Sequence, residues 1–233
     1  MPESNYRYII VGNGLAGASA VGGIREFDQD GSILLIGNEP FLPYDRPPLT
    51  KKLWFGQKKV EDVFVHDDEY YAGLHADIHL GAHVTGIDTA QKTISDHMGR
   101  TFHYEKLLLA TGGSPRRLDI PGGDLEGINY YRYLEDYLRL RPDATAGATA
   151  TIIGGGFIGS ELGAALTMNG VAVTMIFPDP YLVNRVFPEG LGRAITDHFR
   201  TRGVNMLTGD KPTMIERRDG KFVTTTEQGQ QIA

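Results

Sequence analysis

The stretch YIIVGNGLAG, residues 8–17, decides the fold of the amino-terminal half of this sequence. Tyr8 to Val11 is a short apolar run typical of a buried strand, and it leads directly into the glycine-rich run Gly12 to Gly17. The small residues from Ala18 to Ile24 can pack as a helix on a sheet. A second apolar run, Ser32 to Ile36, closes the unit. Strand, G-x-G-x-x-G turn, helix and strand in that order predict a dinucleotide-binding βαβ unit.

Each glycine of such a loop has its own task. The first makes the tight turn, the second lets the backbone approach a pyrophosphate, and the third brings helix and strand together. The amino-terminal end of the helix then faces the anion. Gly12, Gly14 and Gly17 hold these three positions. A single motif of this kind is weak evidence, and its place between a strand and a helix strengthens it.

The same motif recurs in the second half of the chain. Thr151 to Ile153 is an apolar run, and Gly154, Gly156 and Gly159 follow at the same spacing. A helix through Leu166 and a strand from Val171 to Phe177 complete the unit. Two dinucleotide folds in one chain imply two bound nucleotides.

Short alternating segments lie between the two copies. Val84–Asp88, Lys92–Ile94 and Phe102–Tyr104 read as an antiparallel meander, and a buried strand from Lys106 then runs into a glycine turn. The chain is therefore predicted to be an α/β protein with two Rossmann-like, three-layer ββα domains. Each domain has a parallel sheet and an antiparallel β-meander, and the predicted domains are residues 1–115 and 116–233.

Composition narrows the function classes. The net charge of −6 and the pI of about 5.6 give no basic footprint for nucleic acid. The 233 residues contain no cysteine, which excludes disulfides, thiolate metal sites and a redox-active cysteine pair within them. No basic leader and no apolar run long enough for a membrane span is evident, so a cytoplasmic protein is expected. His75, His79 and His83 are spaced like ligands on a helix, but Gly81 argues against a continuous helix, and no metal site is predicted.

Four motifs together resemble one known family. They are the first glycine loop, the run PYDRPPLTK at residues 43–51, the run ATGGSPR at residues 110–116, and GGGFIGSE at residues 154–161. In that order and at that spacing they resemble the flavin-dependent pyridine nucleotide oxidoreductases, in the ferredoxin-reductase-like branch that includes apoptosis-inducing factor. The resemblance implies that residues 1–115 bind FAD, that residues 116–233 bind NAD(P)H, and that the nicotinamide lies against the flavin.

The resemblance also implies roles for single residues. Arg46 would contact FAD phosphate or ribityl oxygens, and Lys51 would reach the N5 edge of the flavin with Glu161 as its partner. This pair is the expected catalytic element, because it would stabilise charge developing on the flavin. The other residues expected to contact FAD are Gly12, Gly14, Leu15, Ala16, Gly17, Val84, Ala110, Thr111, Gly112 and Arg116. Those expected to contact NADH are Gly154, Gly156, Phe157, Ile158, Gly159 and Asp179, with Phe157 and Ile158 lining the approach of the nicotinamide.

Two positions concern the ribose hydroxyls, which an acid near the end of the second strand binds in such folds. In the second unit Asp179 supplies that acid without an adjacent arginine, which favours NADH over NADPH, although Arg185 follows six residues later. In the first unit the expected acid position holds Asn38. Either Glu39 replaces it by a shift of one residue, or Asn38 makes an uncharged hydrogen bond.

The predicted function is an NADH-dependent flavoprotein reductase. Because the chain has no cysteine, its electrons would pass to an external acceptor: an iron–sulfur protein such as ferredoxin or rubredoxin, a quinone, a dye or oxygen. The alternatives are a redox-gated interaction protein of the apoptosis-inducing-factor kind and a partial domain that binds nucleotide without turnover. The resemblance implies an FAD domain that is incomplete at its carboxyl-terminal end. Thr208-Gly209-Asp210 is interpreted as a strand turn rather than a ribityl-binding motif. The sequence leaves the oligomeric state open.

Overall fold

The computed structural model describes residues 5–233, and these divide into two units. The first unit contains residues up to 45 together with residues 59–113. The second contains residues 46–58 together with residues 114–233. Within residues 5–233, none of the helices combines the length and the apolar composition that a membrane span requires.

The first unit is a mixed sheet with helices. Its elements in chain order are β1 (Asn5–Val11), α1 (Leu15–Phe27), β2 (Ile33–Ile36), a short 3-10 helix (Val60–Val63), α2 (Asp68–Gly73), β3 (Ala76–His79), β4 (Val84–Asp88), β5 (Thr93–Asp96) and β6 (Thr101–Leu109). The strand order is β3-β2-β1-β6-β5-β4. The pairs from β3 through β6 are parallel, whereas β5 pairs antiparallel with both β6 and β4.

Strand β2 shows how the apolar runs form the core. All four of its residues are buried, because successive side chains of a strand point to opposite faces and both faces are covered. Leu35 belongs to the same core cluster as Val21 of α1. Leu34 belongs to the cluster on the other face with Phe102 of β6. The first glycine loop therefore follows a strand fixed inside a two-sided core.

One prediction for the meander is wrong. The segments at Phe102–Tyr104 and from Lys106 are one strand, β6, and not two. Along β6, only the start, Thr101–His103, pairs with β5, so beyond His103 strand β6 has only β1 beside it among the described residues. Leu108 and Leu109 are 44% and 56% exposed and thus not buried as their sequence indicated.

The second unit has two separate sheets. After a 3-10 helix (Pro47–Thr50), its elements are α3 (Leu134–Leu140), β7 (Thr149–Ile153), α4 (Phe157–Met168), β8 (Ala172–Phe177), α5 (Glu189–Thr201), β9 (Asn205–Thr208), β10 (Pro212–Arg218), β11 (Lys221–Thr226) and β12 (Gln231–Ile232). Strands β7, β8 and β9 form a parallel sheet, and β10, β11 and β12 form an antiparallel one. The predicted α/β class, with parallel and antiparallel sheets, is confirmed.

Residues 46–58 pack into the second unit through Trp54, which is only 2% exposed. Its ring meets the ring of Tyr137 edge to face at a centroid distance of 5.3 Å, and the Arg141 guanidinium lies 5.5 Å from its centroid. Its carbonyl oxygen accepts a hydrogen bond from Asn169 Nδ2 at 3.2 Å. The predicted boundary between residues 115 and 116 divides the chain at a single point. It therefore assigns residues 46–58 to the first domain, whereas in the structure they belong to the second unit. The assignment of the two cofactor domains stays a prediction.

Candidate functional site

The first glycine loop is a close-packed turn. Gly12 has φ of +123°, and a Cβ placed on it would lie 2.1 Å from the carbonyl oxygen of Ala110. A Cβ on Gly17 would lie 2.1 Å from the carbonyl oxygen of Gly12. Among the described residues, helix α1 starts after Gly14 with no side-chain cap and no acidic residue in its first turn, so the N-cap supplies no acceptor for the first N–H groups of the helix. The loop has the geometry that an anion site needs.

Asn13 ties this loop to the chain that follows β2. Its Nδ2 donates to the carbonyl oxygens of Glu39 at 3.0 Å and Phe41 at 2.9 Å. The Glu39 carboxylate is buried and accepts a hydrogen bond from the Tyr44 hydroxyl, whereas Asn38 is exposed. The two residues predicted as alternatives for the ribose contact thus differ in exposure, since Glu39 is buried and Asn38 is exposed. Both stay predictions.

The remaining predicted residues of the first unit lie at strand ends. Ala110 follows β6 directly and donates its N–H to the carbonyl oxygen of Val11 at 2.8 Å, beside the glycine loop. Thr111 and Gly112 come next, and both are exposed. Val84 begins β4 and is half-buried. Leu15 and Ala16 open helix α1 and are exposed.

The second loop repeats the backbone of the first. Gly154 has φ of +120°, and a Cβ on Gly159 would lie 2.2 Å from the carbonyl oxygen of Gly154. Gly156 precedes α4, which again has neither a side-chain cap nor an acidic residue in its first turn. A Cβ on Gly156 would meet no described atom within 4 Å. The loop therefore has no space for a side chain at its third glycine, Gly159, and has free space at its second, Gly156.

Val183 fixes the middle of this second loop. Its N–H donates to the carbonyl oxygen of Gly155 at 2.7 Å, and it is buried with φ of +55°. A β-branched residue rarely adopts this left-handed conformation, which costs roughly 1–2 kcal/mol. Sequence reasoning missed Val183, because no residue preference places valine at a positive φ.

The other predicted NADH-contacting residues surround this loop. Phe157 and Ile158 begin α4 and are 51% and 43% exposed. The ring of Phe157 meets that of Phe187 edge to face at 5.9 Å. Asp179 follows β8, is half-buried, and accepts a hydrogen bond from Asn184 Nδ2 at 3.3 Å.

The two predicted catalytic residues are in contact. Lys51 Nζ lies 2.7 Å from Glu161 Oε2, with the two side chains 49% and 31% exposed. Thr50 Oγ1 donates to the same carboxylate oxygen at 2.6 Å. Thr50, Lys51 and Glu161 thus form a three-membered polar group. Sequence reasoning did not single out Thr50, although it directly precedes the lysine.

A fixed backbone carbonyl supports this group. The carbonyl oxygen of Leu49 accepts hydrogen bonds from Trp54 Nε1 at 2.7 Å and from the Tyr131 hydroxyl. Burial raises the pKa of Tyr131 well above its usual range, so this hydroxyl stays a donor. The 3-10 helix that carries Thr50 is therefore held by these two donors.

Two predicted FAD-contacting arginines also belong to the second unit. The Arg46 guanidinium lies 5.3 Å from the centroid of the Tyr133 ring, and its Nη1 donates to the carbonyl oxygen of Arg132 at 3.3 Å. Arg116 is exposed, in a stretch without regular secondary structure. The aromatic ring of Tyr133 and the carbonyl oxygen of Arg132 together hold the Arg46 guanidinium.

Comparison with known proteins decides the family. The model of the family described as pyridine nucleotide-disulphide oxidoreductase matches residues 6–233. The chain belongs to this family. It is 34% identical over 221 residues to the ferredoxin–NAD(P)(+) reductase of a Sphingomonas species, covering 95% of this chain and 53% of that protein. It is 32% identical over 212 residues to the rubredoxin–NAD(+) reductase of Pseudomonas putida, covering 91% of this chain and 55% of that protein.

A solved structure shows the same architecture. The covalent complex of putidaredoxin reductase with putidaredoxin matches with a TM-score of 0.88 and 28% identity, covering 98% of this chain and 56% of that chain. The present chain therefore spans about half the length of the relatives it matches. The predicted membership in the ferredoxin-reductase-like branch of this oxidoreductase family is confirmed.

Proposed function

We propose that this chain carries the two nucleotide sites of an NADH-dependent flavoprotein reductase that passes electrons to an external acceptor. The supporting observation is the repetition of one loop backbone. The first glycines, Gly12 and Gly154, have φ of +123° and +120°. The second glycines, Gly14 and Gly156, have ψ of −172° and −171° and each precedes an uncapped helix. Two anion-ready loops fit two dinucleotides.

The first loop is proposed to bind FAD. When bound, FAD accepts a hydride from NADH and delivers electrons to the acceptor. In this proposal the backbone at Gly14 and the first turn of α1 hold the pyrophosphate, and either Asn38 or Glu39 holds the ribose. Arg46 supplies positive charge toward the phosphate or ribityl oxygens. The proposal that FAD fits this loop rests on the uncapped start of helix α1 and on the close packing at Gly17.

The second loop is proposed to bind NADH. The open space at Gly156 leaves room for a pyrophosphate to approach the backbone. Asp179 would accept hydrogen bonds from the ribose hydroxyls and would repel the 2′-phosphate of NADPH. The ratio of kcat/KM for NADH over NADPH tests this preference, and a ratio below one contradicts it.

Lys51 and Glu161 are proposed to act on the reaction by electrostatics. Glu161 orients the ammonium group of Lys51 through the 2.7 Å contact between Nζ and Oε2. A fixed positive charge of this kind stabilises negative charge that develops during hydride transfer.

The acceptor is proposed to be a small iron–sulfur protein of the ferredoxin or rubredoxin class, or a quinone. Support comes from the names of the relatives and from the absence of cysteine in this chain, which leaves no thiol here to take the electrons. Because the chain spans about half of those relatives, the acceptor and the cytoplasmic location stay proposals.

The visible spectrum of the purified chain, supplied with FAD under anaerobic conditions, tests the function. One equivalent of NADH is expected to bleach the flavin bands, and oxidised ferredoxin is expected to restore them. Gly156→Ala provides the matched control, since its flavin should stay bound but resist reduction by NADH. Bound flavin that stays oxidised with both NADH and NADPH would overturn the proposal.

A further inference from the structure

We propose that Thr50 is a positioning residue that fixes Glu161, and through it Lys51, before any nucleotide binds. The inference deepens the proposed function, because it assigns a third residue to the same site. It rests on contacts within the second unit alone.

The first argument is the sharing of one oxygen. Thr50 Oγ1 donates to Glu161 Oε2 at 2.6 Å, and Lys51 Nζ lies 2.7 Å from the same oxygen. A half-exposed lysine and glutamate hold each other weakly, since such pairs contribute about 0–1 kcal/mol. A hydroxyl donating to a carboxylate is a charge-assisted bond and is shorter and stronger than a neutral one. The hydroxyl therefore fixes the rotamer of the carboxylate that the lysine then meets.

The second argument is the choice of acceptor. A threonine hydroxyl has one proton to donate. The alternative acceptor, the carbonyl oxygen of Pro47, lies 3.5 Å from Thr50 Oγ1, which is longer than the usual range. The carboxylate at 2.6 Å is both nearer and charged. The proton accordingly lies toward Glu161.

The third argument is the rigidity of Thr50 itself. Thr50 is 7% exposed and ends the 3-10 helix whose Leu49 carbonyl accepts from Trp54 and Tyr131. A β-branched side chain has few χ1 rotamers, so the buried hydroxyl has a defined direction. Lys51, in contrast, is a long side chain that is half-exposed. Thr50 therefore fixes the position of the Glu161 carboxylate, and the carboxylate in turn fixes the position of the Lys51 ammonium group.

The test compares Thr50→Val, which removes the hydroxyl at nearly constant shape, with Thr50→Ser, which keeps it. Lys51 is acetylated at fixed pH with limiting acetic anhydride, and peptide mass spectrometry gives its rate relative to the exposed Lys52. Thr50→Val is expected to raise the relative rate about two- to tenfold, the factor that corresponds to one net hydrogen bond. Thr50→Ser should match the wild type, and Glu161→Gln sets the rate of a released lysine.

A second readout uses the flavin-loaded chain. In stopped-flow reduction by NADH, Thr50→Val should lower the limiting rate and leave the Kd for NADH unchanged, and Thr50→Ser should restore the rate. A purely structural role would not give this separation. Emission from Trp54, the single tryptophan of the chain, shows whether the segment stays folded, and Thr50→Ala replaces the valine variant if it does not.

Equal labelling of Lys51 in wild type and Thr50→Val overturns the proposal, whatever the flavin does. A wild-type flavin that neither NADH nor NADPH reduces overturns the proposed function instead, and the labelling result still decides the role of Thr50.

Discussion

Lys51 Nζ lies 2.7 Å from Glu161 Oε2, although 110 positions separate the two residues in the chain. Lys51 follows a proline-rich 3-10 helix, and Glu161 lies in the first turns of helix α4. The fold of the second unit thus joins the segment that carries the lysine to the helix that starts at the second glycine loop.

Charge removal at this pair is expected to affect kinetics more than stability. Lys51→Gln and Glu161→Gln should each lower the limiting rate of flavin reduction by NADH about 10²-fold, as the loss of one electrostatic contact to developing charge does. Unfolding free energies should change by less than about 1 kcal/mol, because both side chains are partly exposed. Stopped-flow absorbance and urea denaturation measure the two effects. A rate within twofold of wild type in both variants would exclude the electrostatic role.

Two glycines of the second loop, Gly156 and Gly159, are expected to differ in whether an alanine there affects stability or NADH binding. A Cβ on Gly159 would lie 2.2 Å from the carbonyl oxygen of Gly154, so Gly159→Ala should destabilise the chain by about 1–3 kcal/mol. Gly156→Ala places its methyl group in open space at a φ of −82°, so stability should be retained while NADH affinity falls at least about tenfold. Thermal melting and NADH titration provide the measurements. Unchanged NADH affinity in Gly156→Ala would argue against a phosphate at this loop.

These loops were predictable from the sequence because their geometry is local. Gly12 and Gly154 need a positive φ, and Gly17 and Gly159 leave no space for a side chain. Each requirement is met by one residue type at a fixed spacing after an apolar strand, which is why the motif predicts the turn.

Long-range packing was not predictable in this way. Residues 46–58 read as a proline-rich stretch without a clear periodicity, and Trp54 gives no signal of its partner Tyr137. Leu108 and Leu109 indicated a buried strand, because apolar composition shows a preference for burial and not whether a neighbouring element covers it. Val183 contradicts its own residue preference, so only the tertiary structure accounts for it.

The contribution of the two hydrogen bonds to the Leu49 carbonyl oxygen can be tested by removing each donor. Trp54→Phe and Tyr131→Phe each remove one of its two donors, and each should cost about 1 kcal/mol of unfolding free energy beyond the packing change. The double variant should cost more than the sum, because the buried carbonyl is then left without these donors. Urea denaturation followed by far-ultraviolet circular dichroism measures this, since the tryptophan is lost. A strictly additive double variant would show that the two bonds act independently.

Asp28 is expected to make stability depend on pH. The N–H of Gly31 donates to its Oδ1 at 2.9 Å, and the Tyr8 hydroxyl and the Arg7 guanidinium each lie 2.9 Å from its Oδ2. The backbone bond from Gly31, followed by the bond from Tyr8, lowers the pKa of Asp28 below its usual value. A depressed folded-state pKa gives stability that is present above the unfolded value of about 3.9 and is lost as pH falls through the folded value.

Asp28→Asn should therefore be less stable than the wild type at pH 7, and the gap between their urea midpoints should shrink as the pH is lowered from about 5 toward 2. Asp30→Asn, at an exposed neighbouring position, is the matched control, because it removes one negative charge without the contacts to Tyr8 and Arg7. Its midpoint should follow that of the wild type at each pH. A gap for Asp28→Asn that stays constant down to pH 2 would show that the ionised carboxylate is not the source of the stabilisation.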